Sequence, residues 1–366
     1  MPTDQEIKRY TRLRRILGIL NFSISAVLLL VLLFGHLSIW VRSQVEDRAA
    51  DSFLIVLGYL IVVGMAGEIL TLPLSFLSGY WVEHRFNLSN QTFWSWVWDH
   101  VKGLILSGVL ALAAAELVYF TLRRAPESWW MWCAAAFTAF GVLLAQLAPV
   151  LIFPLFFKFE PLENENLKQR LLALCDRLKT RVRGVYNWKL SEKSNKANAA
   201  VMGWGRTRRI VLADTLLKDF SEDEIEVILA HELGHHVHHD VWKGIGLQTA
   251  STWAVFYLIR WSLEHWSRAL GFRSAADVAN LPFLLLVSTL FSLLAMPLVN
   301  GYSRRLERSA DGFALDQTSK IDAFISSMRK LGEKNLSENQ PNRFIEFVFH
   351  SHPSIARRIA AAQARR

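Results

Sequence analysis

The stretch VILAHELGHHVHHD, residues 227 to 240, decides how this chain is read. It sets five histidines, a glutamate and an aspartate between long apolar segments. Just upstream, Ser221-Glu222-Asp223-Glu224 has the form of a capping box, in which the serine hydroxyl and the Glu224 carboxylate each satisfy a free amide of a helix's first turn. Ile225, Val227, Ile228 and Leu229 then carry a helix into the cluster without a proline, with Gly234 its only weak point. On a helix, His231 and His235 lie one turn apart on one face, so two imidazoles can reach a single tetrahedral zinc ion. Glu232 stands beside them as a base for water and not as a ligand. His238 falls near the same face by phase, and His235 with His239 repeats the spacing. Only His231 and His235, however, bracket a glutamate in the order His-Glu-x-x-His. His236, His238 and His239 read as the polar end of a helix meeting the membrane interface, or as support behind the metal.

Working outward, the apolar surroundings are long enough to cross a bilayer, which takes roughly 20 helical residues. Six runs qualify, at 16–41, 53–79, 103–122, 128–157, 244–266 and 281–302, in a chain of 366 residues that is 52% hydrophobic. Trp40, Trp81, Trp129, Trp130, Trp132, Trp242 and Trp266 sit near their ends, where an amphipathic ring prefers the headgroup level. The first run follows Lys8, Arg9, Arg12, Arg14 and Arg15 and is too long for a signal peptide's core, so it reads as a retained anchor. Lys and Arg are dense in the N-terminal arm, in 158–243 and after 303. The positive-inside rule therefore puts both termini and the histidine segment in the cytoplasm, at a plasma or inner membrane in a prokaryote and at the endoplasmic reticulum in a eukaryote. Glu68, Glu116 and Arg260 would be costly facing lipid and are expected to face the bundle interior, pairing with one another or lining water.

The net charge of +9 follows this topology, and with no aromatic-basic recognition module a nucleic-acid partner is not expected. Cys133 falls in a span and Cys175 in a polar segment, which argues against a disulfide and against a cysteine zinc site.

Between the fourth and fifth runs, a helical pattern around Leu167–Leu178 precedes three strand-like pieces, Gly184–Leu190, Ala199–Trp204 and Arg209–Ala213. Gly205-Arg206-Thr207 is a plausible turn between the last two. The expected fold is mostly α: a polytopic membrane protein of about six transmembrane helices with a small α+β zincin-like metalloprotease domain interrupted by a transmembrane hairpin. The expected divisions are a four-span membrane domain (1–157), a first metalloprotease part carrying the histidine helix (158–243), the hairpin (244–302) and a second metalloprotease part (303–366).

A catalytic zinc needs a third protein ligand and an open position. In NGYSRRLERSADGFAL, residues 300 to 315, Glu307 is the candidate, which by itself could equally be an ion-pair partner on an arginine-rich helix but coupled to the histidine pair reads as the third ligand, and Asp311 one turn on can hydrogen-bond a ligating histidine and fix its tautomer. Bundled together, these residues call for one zinc ion per chain.

The HELGH core at 231–235 and the S-R-x-x-E-x-x-A-D pattern at 303–311 resemble the glutamate-zincin metalloproteases, and specifically the integral-membrane CAAX prenyl protease 1 family. The likeness extends over most of the chain, through LPLSFLSGYWVEHRFNLSNQT at 72–92, LAPVLIFPLFFKFEPLE at 147–163, NAAVMGWGRTRRIVLADTLL at 198–217 and HPSIARR at 352–358. The resemblance implies that Asn198 helps hold a substrate's backbone along the edge of the sheet, and that His352 and Arg358 steady the oxyanion. By pattern alone, His352-Pro353 looks like a helix start. Eukaryotic members of that family have seven spans, against the six counted here.

The expected activity is zinc-dependent endoproteolysis, with His231, His235 and Glu307 on the metal, Glu232 moving the proton, and a peptide or protein substrate reached at the lipid bilayer. A C-terminal prenylated CAAX-type substrate is one candidate. Clearance of damaged membrane proteins is another, and a zinc-regulated transporter or receptor without hydrolysis is the rival from a different class.

Overall fold

Thr3 and Glu6 cap the first helix reciprocally, and α1 (Asp4–Phe34) runs from there through the first apolar run. It stops before His36, whose backbone is left-handed (φ 54°), and α2 (Leu37–Glu46) follows. The first span therefore begins well before residue 16 and ends short of 41. In this computed structural model, residues 2–203 and 205–366 are described, apart from the Arg206 side chain. The expected strand end at Trp204 lies outside the described residues.

α3 (Ser52–Phe76) contains Pro73 and continues through a π-helical turn at Leu77–Trp81 into α4 (Val82–Arg85). A proline removes one backbone donor, and a widened turn close by is a common way for a helix to accommodate it. α5 (Phe93–Arg124) and α6 (Trp129–Leu147) complete the first bundle, and a second π-helical turn, with Pro149, leads into α7 (Phe153–Phe156).

The polar region begins with β1 (Phe159–Pro161), a strand not expected from sequence because it is three residues long and ends in proline. α8 (Glu165–Arg177), β2 (Val185–Trp188), β3 (Ala199–Met202), β4 (Arg209–Ala213), α9 (Asp214–Asp219) and α10 (Glu222–Val237) follow. The sheet order is β1-β2-β4-β3, with β2 and β4 parallel and the other pairs antiparallel, so β3 is an edge strand. β4 is central, and its Ile210, Val211, Leu212 and Ala213 are fully buried. Ile225, Leu229 and Leu233 of α10 share that core with Leu167, Leu171 and Leu174 of α8. The Ser221–Glu224 capping box that starts α10 is present as expected.

α11 (Asp240–Trp266) and α12 (Leu281–Thr318) come next, then α13 (Ile321–Lys334), α14 (Arg343–Phe349) and α15 (Ile355–Gln363). Five helices among the described residues are long and apolar enough to cross a membrane: Asp4–Phe34, Ser52–Arg85, Phe93–Arg124, Trp129–Phe156 and Val278–Thr318. The sixth run counted on composition, 244–266, is not among them. The run at 244–266 does form a 27-residue helix, α11, but Lys243, Gln248, Arg260 and Glu264 dilute its apolar character. At 1.5 Å per residue α11 is about 40 Å long, enough for the roughly 30 Å of a hydrocarbon core. It also has to cross if α12 does, because α10 and the C-terminal half of α12 pack against each other on the same side.

The three ionisable residues in the spans do not pair with one another. Glu68 accepts from His100 at 2.7 Å, Glu116 lies 4.0 Å from Arg123, and Arg260 donates to Glu264 at 2.7 Å. Each finds its partner one or two turns away or on the neighbouring helix, which sequence spacing along separate spans could not indicate.

Candidate active site

α10 reaches the site because it can approach α12 closely. A side chain at Gly234 would come within 3.1 Å of Phe313 and 3.3 Å of the Ala310 backbone, so glycine lets the two helices touch there. The weak point in the helical pattern is thus a packing requirement. The contact brings His231 and His235 opposite Glu307, and these three residues offer ligand atoms lying within 4.8 Å of one another. His231 Nε2 lies 3.3 Å from Glu307 Oε2, and His235 Nε2 lies 3.4 Å from Oε1. His231 and Glu307 are buried.

Both imidazoles turn Nε2 inward and Nδ1 outward to a carboxylate. His231 Nδ1 is 3.0 Å from Asp311 Oδ1, and His235 Nδ1 is 2.9 Å from Asp240 Oδ2. Asp240 is buried and also accepts from Lys243 Nζ at 2.8 Å. Its place is set by His239, whose left-handed backbone (φ 56°) ends α10 and folds the first residue of α11 back towards His235. Sequence reasoning did not single out Asp240, because a five-residue offset does not share a helix face. The signal lay in the stretch all the same, as an acidic residue one turn past a histidine pair.

The electrostatics follow from this packing. Burial alone would depress the His231 imidazole, but Asp311 and Glu307 outweigh it and lift its pKa to about 9. Burial likewise opposes protonation of His235, and Glu307 reverses the balance so that its pKa is also raised. Burial pushes the Glu232 carboxyl up, against the pull of His231 and His235. A general base gains driving force for taking a proton as its pKa rises towards neutrality.

The donor set fits a divalent metal. Two imidazoles present the same ring nitrogen to a carboxylate, each backed by a second carboxylate, as is typical of metal-ligating histidines. Glu307 Oε2 is buried and has no hydrogen-bond partner among the described residues, although a ring nitrogen lies within 3.3 Å of it. An unsatisfied buried carboxylate oxygen is costly without a ligand to complete it.

The residues named by resemblance gather at the same cleft. A cavity of about 670 Å³ is lined by Asn198, Glu232, His352 and Arg358 among others. Asn198 is exposed just ahead of edge strand β3. His352 Nε2 lies 3.2 Å from Glu307 Oε1, and its Nδ1 is 2.9 Å from Ser351 Oγ. The helix expected to start at His352-Pro353 instead starts at Ile355, with Ser354 as its cap, and it carries Arg358. Arg358 is engaged with Asp311 through both Nε, at 2.9 Å, and Nη2.

His236 and His238, from the same stretch as His231 and His235, turn to other partners. His236 Nε2 is 3.4 Å from the Val201 carbonyl, and His238 Nδ1 is 3.2 Å from Ser309 Oγ beside the Phe313 ring.

A histidine pair and a glutamate gathered in a protein with several membrane-length helices are the pattern of an integral-membrane metalloprotease. The chain belongs to peptidase family M48, whose model matches residues 161–366, and residues 3–158 match the CAAX prenyl protease N-terminal model of five membrane helices. An uncharacterized metalloprotease of Bacillus subtilis, YhfN, is 30% identical over 97% of this chain and 84% of its own. A CAAX prenyl protease 1 homolog of Arabidopsis thaliana is also 30% identical, over 83% of this chain and 72% of that one. The crystal structure of S. mikatae Ste24p has the same fold, with a TM-score of 0.88 at 23% identity over 98% of this chain and 88% of that chain. The protein is therefore a multi-pass integral membrane metalloprotease.

Proposed function

We propose that this protein is a zinc endopeptidase that cleaves peptide bonds near the C-terminus of prenylated CAAX-type or similar membrane-associated substrates. The observation that carries the reading is the convergence of His231, His235 and Glu307 within 4.8 Å, with Glu232 in the adjoining cleft. One zinc ion per chain, held by these three residues, would supply the Lewis acidity that polarises a peptide carbonyl and makes water a nucleophile at neutral pH. Glu232 takes the proton of the attacking water and delivers it to the leaving amine. Asp311 and Asp240 hold the two imidazoles in the tautomer that leaves Nε2 free for the metal. His352, whose side chain reaches the cleft, donates to the oxyanion. Arg358 adds positive charge while holding Asp311.

Asn198, just ahead of edge strand β3, holds an extended substrate in this reading, and the substrate would add to the sheet as a further strand. The two metalloprotease parts, 158–243 and 303–366, act as one unit joined through the 244–302 hairpin. The density of Lys and Arg in those parts supports a cytoplasmic site. The prenylated class rests on relatives named CAAX prenyl protease 1 homolog.

The deciding experiment incubates detergent-purified protein with a farnesylated CAAX peptide and its unprenylated twin, each with and without chelator. Chelator-sensitive cleavage that strongly favours the farnesylated peptide is expected. Equal cleavage of both would replace the substrate class with general membrane proteolysis.

A further inference from the structure

α14 is an amphipathic helix turned inside out for a protein in water. Its one buried residue is Glu346, whose carboxylate accepts from the Ser354 amide at 3.1 Å and pairs with Arg357 at 3.3 Å. Its aromatic residues are largely exposed, with Phe344 70%, Phe347 55% and Phe349 58%, and the Arg304 guanidinium lies 5.9 Å from the Phe347 ring. Three exposed phenylalanines within six residues make a patch that calls for a partner.

The position of α14 says which partner. It is pinned to α12 where that helix leaves its apolar run: Asn300 Nδ2 donates to the Val348 carbonyl at 2.6 Å, and Arg304 Nη1 donates to the Glu346 carbonyl at 2.9 Å. Just before those residues, Leu294 and Leu298 of α12 are 69% and 77% exposed, on a helix apolar enough to cross a bilayer. Two to six residues separate Leu298 from these pins, about 3–9 Å along the helix axis. The phenylalanines therefore lie level with the end of α12's apolar run, at headgroup depth. Arg305 and Arg308 of α12 and Arg343 of α14 are exposed, and basic residues are common on helices that lie in an interface.

We propose that α14 lies in the bilayer surface as an interfacial helix, with Phe344 and Phe347 seated among the lipids. Phe349, at its end, also lines the cleft that holds Asn198, Glu232 and His352. The mouth of the cleft then opens at lipid level. That consequence rests on the function proposed above, but the seating of α14 does not.

Cys133 and Cys175 are both buried, so single added cysteines can be labelled in the folded protein. We would place an environment-sensitive fluorophore on Phe344→Cys and Phe347→Cys, with Asp322→Cys on α13 as a solvent control, in nanodiscs containing lipids spin-labelled near the headgroup. Each variant is first checked for monodisperse elution and retained metal binding. The proposal expects blue-shifted emission and at least threefold stronger lipid quenching at 344 and 347 than at 322. Quenching equal to that of the control at both positions overturns it. So does quenching at 344 and 347 only when two chains share a disc, which would assign the face to a second copy.

Discussion

Replacing Asp240 tests whether the carboxylate behind His235 tunes the metal site. Its Oδ2 lies 2.9 Å from His235 Nδ1, and its Oδ1 accepts from Lys243. Asp240→Asn keeps the shape and one acceptor but loses the charge that makes the imidazole a stronger donor. Asp240→Ala leaves Nδ1 of a partly buried ring with no partner. Removing such an outer partner typically weakens metal binding 10- to 100-fold, which is about 1.4–2.7 kcal/mol. Asparagine should fall at the low end of that range and alanine at the high end. Zinc affinity is read by competition with a chromophoric chelator in detergent at pH 7.5, with Lys243→Met as a companion that should cost less than either. Zinc affinity of Asp240→Ala within twofold of wild type would refute the reasoning, because it would mean that His235 does not need its carboxylate.

Glu232→Gln should abolish hydrolysis while leaving zinc content near wild type, and unchanged turnover by the purified variant would remove Glu232 as the base. Glu307→Ala should lower zinc affinity by at least 100-fold, as expected when a direct ligand is lost, and equilibrium dialysis at wild-type affinity would remove it as a ligand. Gly234→Val should force α10 away from α12 and destabilise the protein by about 1–3 kcal/mol, seen as a lower thermal midpoint with weakened zinc binding. An unchanged midpoint would mean that the close approach at Gly234 is dispensable. Burial alone would raise the Glu224 carboxyl, but Lys330 and Ser326 outweigh it and hold it below the usual carboxylate range. Glu226 is lowered in the same way, with Lys320 and Arg170 opposing its burial. Because their folded values lie below the unfolded ones, this stabilisation is present above about pH 4.5. It is lost as pH falls through the depressed folded values. In chelator-treated protein, Lys330→Met should move the acid unfolding midpoint to higher pH, and an unmoved midpoint would count against the pairing.

The histidine helix and its partner were legible because their chemistry is local. The Ser221 capping box, the His-Glu-x-x-His order and the four-residue step from Glu307 to Asp311 each need only one helix, and the structure sets all of them on helices. Features that depend on where a chain turns were not legible. Asp240 becomes a partner of His235 only because His239 adopts a left-handed backbone. β1 forms only because Phe159–Pro161 finds β2 beside it. Composition alone did not set α11 apart from the five helices long and apolar enough to cross a membrane, and Glu68, Glu116 and Arg260 did not pair with one another but each took a different partner. His352 and Arg358, six apart and on no common helix face, could be brought to the cleft only by the tertiary fold.

The central claim is that His231, His235 and Glu307 hold a zinc ion on which peptide hydrolysis depends. It is tested most directly by following zinc content and peptide cleavage in one purified sample through chelation and zinc re-addition. The account predicts one zinc per chain, with both quantities falling together and returning together. Cleavage that survives complete zinc removal, or a full complement of zinc with no cleavage of any peptide, would contradict it.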